Sequence, residues 1–553
     1  MKLFIRLFFI PLLGLFGTSL AVSADNYNSN YIIINPLVAI TTYQDIPLSD
    51  VLQSSDVITQ DEIAASTASS FGELISQKIG VEVTRAGGPG GQTSVFLRGQ
   101  ASKNYLLLID GVKAQTDSWG NIRPIDLPLA DIYKIEVLRG NASALYGDAA
   151  IGGVINIITK TGKLRDGGQV SVTYGSQATK DVSASLSQMF GGMDVAISAA
   201  RFETEGLDAT KTSDFDKDEF KRSSHSIAFS KRVSAQTKLA AKYKSSQSEG
   251  GLDGFYNRLE TQNTDYTLTA EHKRDALIDA RFDISKGKLN YDSFGTFNSF
   301  NRGKQTALKI VNISRLGKNE KKHIITKGLE KSNSEYSTTD RKGQAMFLGY
   351  QMRSGIYSLQ TNLRRDNIDV QNDGSSAKQF SSTSWLAGYG YQLTPNVKAS
   401  LTRSTGFRAP SAGEYSSNSN LKSEEHISTE FSLQHLSEQS LSRMTLFTSK
   451  TDNGIQSWPI ENIEKIENQG VEFSLDKQTD VINFELNLTL QDPKIKNGSN
   501  STKSLLKRAK TFASLNLSKA LDEYNLSSKL SYSGQRYDVG SAKMKSYLCV
   551  DAN

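Results

Sequence analysis

Ile-Glu-Val-Leu-Arg-Gly-Asn-Ala-Ser-Ala-Leu-Tyr-Gly-Asp-Ala-Ala-Ile-Gly-Gly-Val-Ile-Asn-Ile-Ile-Thr-Lys, residues 135–160, is the stretch on which the fold turns. A β-type run, 135–138, stops at Arg139-Gly140. A small-residue segment follows, broken by Gly147 and by Gly152-Gly153, where tight turns or close backbone approach are expected. Residues 154–159 then read as a buried strand. Taken alone, the piece fits an ordinary β-turn-β unit of an α/β domain.

The surroundings extend this pattern. From Asp56 to Thr161 the chain is mixed α/β. Residues 57–59 predict a short strand, Thr59-Gln60-Asp61-Glu62 a helix start, and 70–75 a second short helix. Val81-Glu82-Val83, the glycine-rich 87–91, residues 94–97 and the apolar 105–109 follow, the last closed by Asp110-Gly111. No Gly-Lys-Ser/Thr succeeds the glycine-rich loop, so it is not a phosphate cradle.

Beyond about residue 165 the texture changes. Val170, Val172 and Tyr174 alternate with Gln169, Ser171 and Thr173, and Val195, Ile197 and Ala199 alternate with Ala196 and Ser198. Phe484, Leu486, Leu488 and Leu490 alternate with Glu485, Asn487 and Thr489. Segments of about ten residues with period-two amphipathicity, repeated to the end, predict a transmembrane β-barrel. No apolar run reaches the ~18 residues of a membrane helix, and a closed barrel is the other way to satisfy backbone groups in lipid.

Lys2 and Arg6, the apolar 7–16 and Val22-Ser23-Ala24 read as an exported leader, residues 1–24. The chain has 553 residues, 22% charged, with a net charge of +6 and no basic block of the kind that binds nucleic acid. One cysteine, Cys549, excludes an internal disulfide. No nucleophile elbow or metalloprotease histidine pair marks an enzyme.

Phe-Leu-Arg-Gly at 96–99, Leu-Leu-Leu-Ile-Asp-Gly-Val at 106–112, Glu-Val-Leu-Arg-Gly at 136–140 and the 146–159 run form an ordered set. The set resembles the plug domain of TonB-dependent outer-membrane receptors. That resemblance implies an α/β plug, 56–161, inside the lumen of a barrel of about 22 strands. The barrel is expected over 165–553, with its last strands missing, since the chain ends Cys549-Val550-Asp551-Ala552-Asn553 without a terminal aromatic. Poor assembly is expected from such an end. Residues 25–55 become a periplasmic segment carrying the TonB box, Asn35, Pro36, Leu37, Val38, Ala39, Ile40, Thr41 and Thr42, which a TonB-type coupling protein captures by strand addition. Pro36 departs from the family pattern.

Gly406-Phe407-Arg408-Ala409-Pro410, Asn418-Ser419-Asn420-Leu421, Asn468-Gln469-Gly470-Val471-Glu472, residues 505–510 and 534–538 are similar to the vitamin B12 (cobalamin) receptors within that family. Ser419 replaces the usual proline. The resemblance implies active transport of cobalamin or a related corrinoid. Its ligand contacts fall on Gln92, Ser94, Ala101, Trp119, Gly120, Gly254 and Lys507. Ala101 lacks the expected polar group, and Lys507 offers a point charge in place of a planar guanidinium. Ca²⁺ is expected in the outer loops on Asp208, Asp214, Asp216, Asp218, Asp253 and Glu260. Glu219 stands where an EF-hand needs glycine, so the loop is not an EF-hand. Arg98 and Arg139 are expected to meet Glu430 and Glu472 in a plug-barrel latch, because a charge inside a lumen needs a partner. A ferric-siderophore receptor is the alternative, and a passive porin a remote one. A haem receptor is disfavoured, since none of the five histidines lies between Pro410 and Asn418.

Overall fold

The computed structural model of the protein describes residues 19–23, 34–66, 68–122, 128–161, 167–208, 217–252, 256–274, 278–317, 321–497, 501–521, 524–538 and 542–552. Period-two alternation is realised as one antiparallel sheet of 23 strands among these residues. It runs from Ser19–Ser23 and Gly167–Gly175 through successive hairpins to Tyr547–Ala552. Strands of 16 to 18 residues, such as Ile278–Gly295 and Ser299–Leu316, are longer than a bilayer crossing requires and project beyond it. Ser19–Ser23, inside the segment expected to be a leader, pairs with residues 169–173. An edge strand is a template for any extended segment nearby.

The sheet is built inside-out. Leu186, Ile197, Leu268, Leu329 and Leu401 are exposed on its outer face, while Ser198, Ser224, Thr261, Asn362, Asn487 and Thr489 are buried on the inner one. Lipid solvates the first set, and the plug and lumen satisfy the second. Tyr357 and Tyr391 pair with ring centroids 5.6 Å apart where strands begin and end on the periplasmic side, an interfacial position suited to aromatic rings.

The plug fills the lumen. Its sheet orders Ser55–Ile58, Ile132–Arg139, Gly153–Thr159, Tyr105–Ile109 and Val112–Lys113, with a separate hairpin of Val81–Arg85 and Thr93–Leu97. Ile135, Val137, Ile155 and Ile157 pack with Phe71, Leu74 and Leu97 in one core. The Thr59 signal gives Gln60–Ala65, closed by a reciprocal Thr59/Glu62 capping box. Ser70 caps Phe71–Ile75. The small-residue segment of the opening stretch forms the short helix Ser143–Tyr146.

From residue 34 onward the segment before the plug folds against plug and barrel. Leu37–Val38 pairs with Ile46–Pro47, and Val38, Ile40, Thr41 and Thr42 are buried. The apolar island buries itself against Leu108, Leu138 and Leu441 because exposing it costs more than ordering it.

Candidate functional site

The sequence brings four expected residues into one buried cluster. Arg98 donates from Nε and Nη2 to Glu472 at 2.9 and 2.8 Å, and its Nη1 lies 2.8 Å from Glu430. Arg139 Nε stands 3.4 Å from Glu472, and its Nη1 3.5 Å from Asp56. The Arg98 guanidinium also covers the Phe447 ring at 4.6 Å. Burial opposes its charge, but the two carboxylates outweigh that and hold its pKa above the ordinary value. The glycines at this junction are steric requirements. A side chain on Gly80 or Gly140 would collide with Glu472 or Glu430, and both have positive φ. Asn468, from the Asn-Gln-Gly-Val-Glu motif, donates to the Arg98 carbonyl at 2.7 Å.

A second ion cluster was not anticipated. Lys78 Nζ lies 2.7 Å from Glu485, 2.9 Å from Glu62 and 3.9 Å from Asp56. Burial disfavours its charge, yet Glu485, Glu62 and Asp56 raise its pKa well above normal. The same Glu62 completes the helix cap, which gave it a local reason to exist and hid the other. Glu82 receives the Ala509 N–H at 2.9 Å, and burial lifts its pKa to about 7.

At the mouth, Arg408 bridges Glu414 and Glu424, each at 2.7 Å, and Lys103 of the plug reaches the same Glu414. Glu414 belongs to a Ser411/Glu414 capping box on the helix Ala412–Ser417; that Ser-x-x-Glu spacing was the available signal. The Asp117 carboxylate receives the N–H groups of Trp119 and Asn121, both at 2.9 Å. This turn rests on the helix through Gly413 N–H to Ser118 at 2.7 Å. Trp119 is 40% exposed and packs on Gly413, where a side chain would strike the indole. Gly120 is in the same turn at φ 79°.

The other expected contacts are spread around the mouth. Gln92 is exposed beside the hairpin that holds Ser94, and its loop lies against Asp218 and Phe220. Ala101 precedes the turn Ser102–Asn104. Lys507 has φ 64° and sits 3.7 Å from Asp538. Its neighbour Arg508, which the sequence reading passed over, covers Phe96 at 4.1 Å and donates to the Gly99 carbonyl. Gly254 lies outside the described residues.

Of the acidic set, Asp214, Asp216 and Asp253 also lie outside the described residues. Asp208 and Asp218 approach through the Asp218 N–H to the Leu207 carbonyl at 3.2 Å. Asp218 is buried beside Gly88. Glu260 stands on the other face: its neighbours Leu259 and Thr261 are buried inward, and its carboxylate pairs outward with Arg258 at 3.1 Å. Strand alternation thus separates Glu260 from Asp218.

The candidate coupling segment is docked. Ala39 N–H donates to Glu136 at 3.1 Å, Tyr146 OH to the Ile40 carbonyl at 2.7 Å, and Lys134 to the Leu37 carbonyl at 2.8 Å. Tyr43, just beyond it, stacks on Phe347 at 5.9 Å. Between the plug strand Tyr105–Ile109 and the facing barrel wall runs a cavity of about 270 Å³, lined in part by Lys113, Asp131, Lys160 and Lys242. The buried ion clusters tie the plug to the strands Glu424–Leu436, Asn462–Lys477 and Asn483–Gln491, away from this space.

Residues 47–154 match the family described as TonB-dependent Receptor Plug Domain, and residues 161–553 match TonB dependent receptor-like, beta-barrel. The chain is 26% identical to the Vitamin B12 transporter BtuB of Photobacterium profundum, over 91% of this chain and 86% of that protein. It is 28% identical to a protein of that name from Vibrio vulnificus, over 76% and 71%. Among solved structures, the unliganded ferric citrate transporter FecA superposes with a TM-score of 0.80 at 12% identity, covering 91% of this chain and 89% of that one. The siderophore receptor PirA from Acinetobacter baumannii gives 0.78 at 15% identity, covering 90% and 91%.

Proposed function

The chain belongs to the TonB-dependent outer-membrane receptors, and from that premise we propose that it carries cobalamin or a closely related corrinoid across the outer membrane. The observation that supports this ligand is the sequence relationship: relatives named as vitamin B12 transporters align along most of the chain. The solved siderophore and ferric citrate receptors share the fold at 12–15% identity, which speaks to architecture and not to ligand.

The mouth suits a large ring system. Trp119 offers an exposed indole face on a turn fixed by Asp117 and the 412–417 helix. Its cations Lys103 and Arg408 are already neutralised by Glu414 and Glu424, which leaves less free positive charge for an anionic iron chelate. Asp208 and Asp218 supply hard oxygen donors of the kind Ca²⁺ takes, and we extend the reading to a Ca²⁺-strengthened outer loop with Asp214, Asp216 and Asp253. Glu260 is left out of that set, since it faces away.

Ligand at the mouth and coupling protein at the periplasmic side communicate by population shift. Exposing Val38 and Ile40 costs about 1.5–3 kcal/mol each, so the segment 35–42 stays docked unless a bound ligand favours the released state. Once released, its backbone is free for strand addition by a TonB-type protein. Equilibrium binding of cyanocobalamin to the folded protein, with and without Ca²⁺, tests the reading. Saturable binding that weakens on chelation is expected. No binding in either condition, or preferential binding of a ferric siderophore, would overturn the ligand and leave the transporter family standing.

A further inference from the structure

Between the docked segment 35–42 and the first plug strand, the chain lies along the inner barrel wall on a row of donors. Lys398, Gln434 and Arg443 stand on three neighbouring strands, Val397–Arg408, Glu424–Leu436 and Ser440–Ile455. Register sets them side by side: Lys398 opposes Gln434, and Gln434 opposes Arg443. All three donate to main-chain carbonyls of residues 49–53. Lys398 Nζ reaches the Ser49 carbonyl and lies 3.4 Å from that of Val51. Gln434 donates to the Ser49 carbonyl at 3.3 Å, and Arg443 to those of Gln53 at 3.1 Å and Val51 at 3.4 Å. Ser400 donates to the Leu52 carbonyl at 3.3 Å. Arg443 also holds the Gln434 amide oxygen, which leaves the Gln434 N–H groups for the chain.

Lys398 and Arg443 are buried, and among the described residues neither forms an ion pair. A buried charge is stable only when other polar groups replace its water. Here the carbonyls of an irregular segment do so, and the grip is therefore on backbone, whatever side chains the segment carries. A notch completes it. Leu52 seats over Gly388 and Gly390 of Lys378–Thr394, where a side chain on Gly390 would stand 2.6 Å from Leu52 Cδ2. Immediately beyond, Ser54 donates to Glu430 at 2.8 Å. Ser55–Ile58 then forms the edge strand of the plug sheet, paired with residues 135–138. A pull on 35–42 meets residues 49–53 before it meets that edge.

We propose that Lys398, Gln434, Arg443 and Ser400 are positioning residues for transport: they form a load-bearing clamp that keeps a pull on 35–42 from the plug sheet until a threshold load opens it. This role rests on the reading of 35–42 as the segment a coupling protein pulls. Below the threshold the barrel strands bear the load, and the plug stays shut after the docked segment has been released. Above it the carbonyls leave together, because they lie on one short stretch that faces one row of donors. Water then reaches Lys398 and Arg443, and the edge strand 55–58 is the next element to peel. When the load ends, the same donors take the carbonyls back, since every residue of the segment carries one.

The full chain, folded into a lipid bilayer, is pulled from its periplasmic face by a force-microscope tip at constant load. In a Cys549→Ser background, Asp45→Cys places the handle before the clamp and Ala64→Cys places it beyond; both sites are exposed. From residue 45, Lys398→Met/Arg443→Met is expected to open at least about tenfold faster than the native lumen, since it loses four hydrogen bonds from charged donors. Lys398→Arg, which keeps the charge and the donors, should retain most of the native lifetime. From residue 64, which bypasses the clamp, native and doubly substituted proteins should open at the same rate. Gln434→Leu, a neutral single change, should speed opening from residue 45 by a smaller factor and leave it unchanged from residue 64, which keeps the test decisive if the double variant does not insert. Equal acceleration from both handles would mean a plain loss of plug stability, and a native opening rate from residue 45 in the substituted lumen would mean that the row bears no load; either overturns the proposal. The tip supplies the load, so failure of the clamp and failure of cobalamin binding are read separately.

Discussion

Glu472 illustrates how one side chain carries two partners. It meets both Arg98 and Arg139 in a site closed to water. Replacing it by Gln leaves two guanidiniums facing one carboxylate fewer, at a cost of about 3–5 kcal/mol. The denaturation midpoint of Glu472→Gln should fall clearly, while Arg98→Met/Glu472→Met loses less than the two single changes added together. An unchanged midpoint in Glu472→Gln would show that the cluster adds nothing. Glu82 gives a pH dependence. Its carboxyl is raised to about 7 by burial, so between the ordinary carboxylate range and pH 7 the native state holds a proton that the unfolded chain has lost. Stability from this group is present below that range and declines as pH rises toward 7. The slope should vanish in Glu82→Gln, and persistence of the full slope would assign it elsewhere. Arg98 and Arg139 were legible because each sits in an Arg-Gly pair beside a strand. Lys78 was not, because nothing local marks it and its partner Glu485 is 407 residues away.

Among elements, the docked segment 35–42 differs most from what its sequence suggests. As sequence it is an apolar island before the plug; in the structure it is part of the plug's underside. Tyr146, in the short helix of the opening stretch, fastens it by one hydrogen bond to the Ile40 carbonyl. Tyr146→Phe should loosen the segment by about 1 kcal/mol, roughly a fivefold rise in its released population. Limited proteolysis of the folded protein reads this as faster cleavage within 35–42, with the barrel intact. Identical cleavage rates would mean the bond does not govern release. The helix starts at Thr59 and Ser70 were readable from capping residues alone, because a cap is a local chemical requirement. The docking of 34–55 was not, since it depends on surfaces of Leu108, Leu138 and Leu441 that the fold brings beneath it.

At the scale of the molecule, transport requires the plug to move or unfold within a wall that holds it by buried ion clusters on one side and faces it across a cavity on another. Ser54 of the plug and Thr445 of the barrel have their hydroxyl oxygens 3.4 Å apart. In a Cys549→Ser background, Ser54→Cys/Thr445→Cys should form a disulfide that preserves ligand binding and abolishes uptake, both reversed by reductant. Undiminished uptake by the cross-linked protein would exclude movement at that contact. The sequence by itself determined the class of this protein. Period-two alternation chooses strands and assigns each side chain to lipid or lumen, and the ordered plug motifs choose what fills the lumen; both are local signals. Only the tertiary structure decided which charges meet across the lumen and that Glu260 turns away from Asp218. Those facts depend on register and barrel curvature, which join residues hundreds of positions apart and leave no local pattern in the chain.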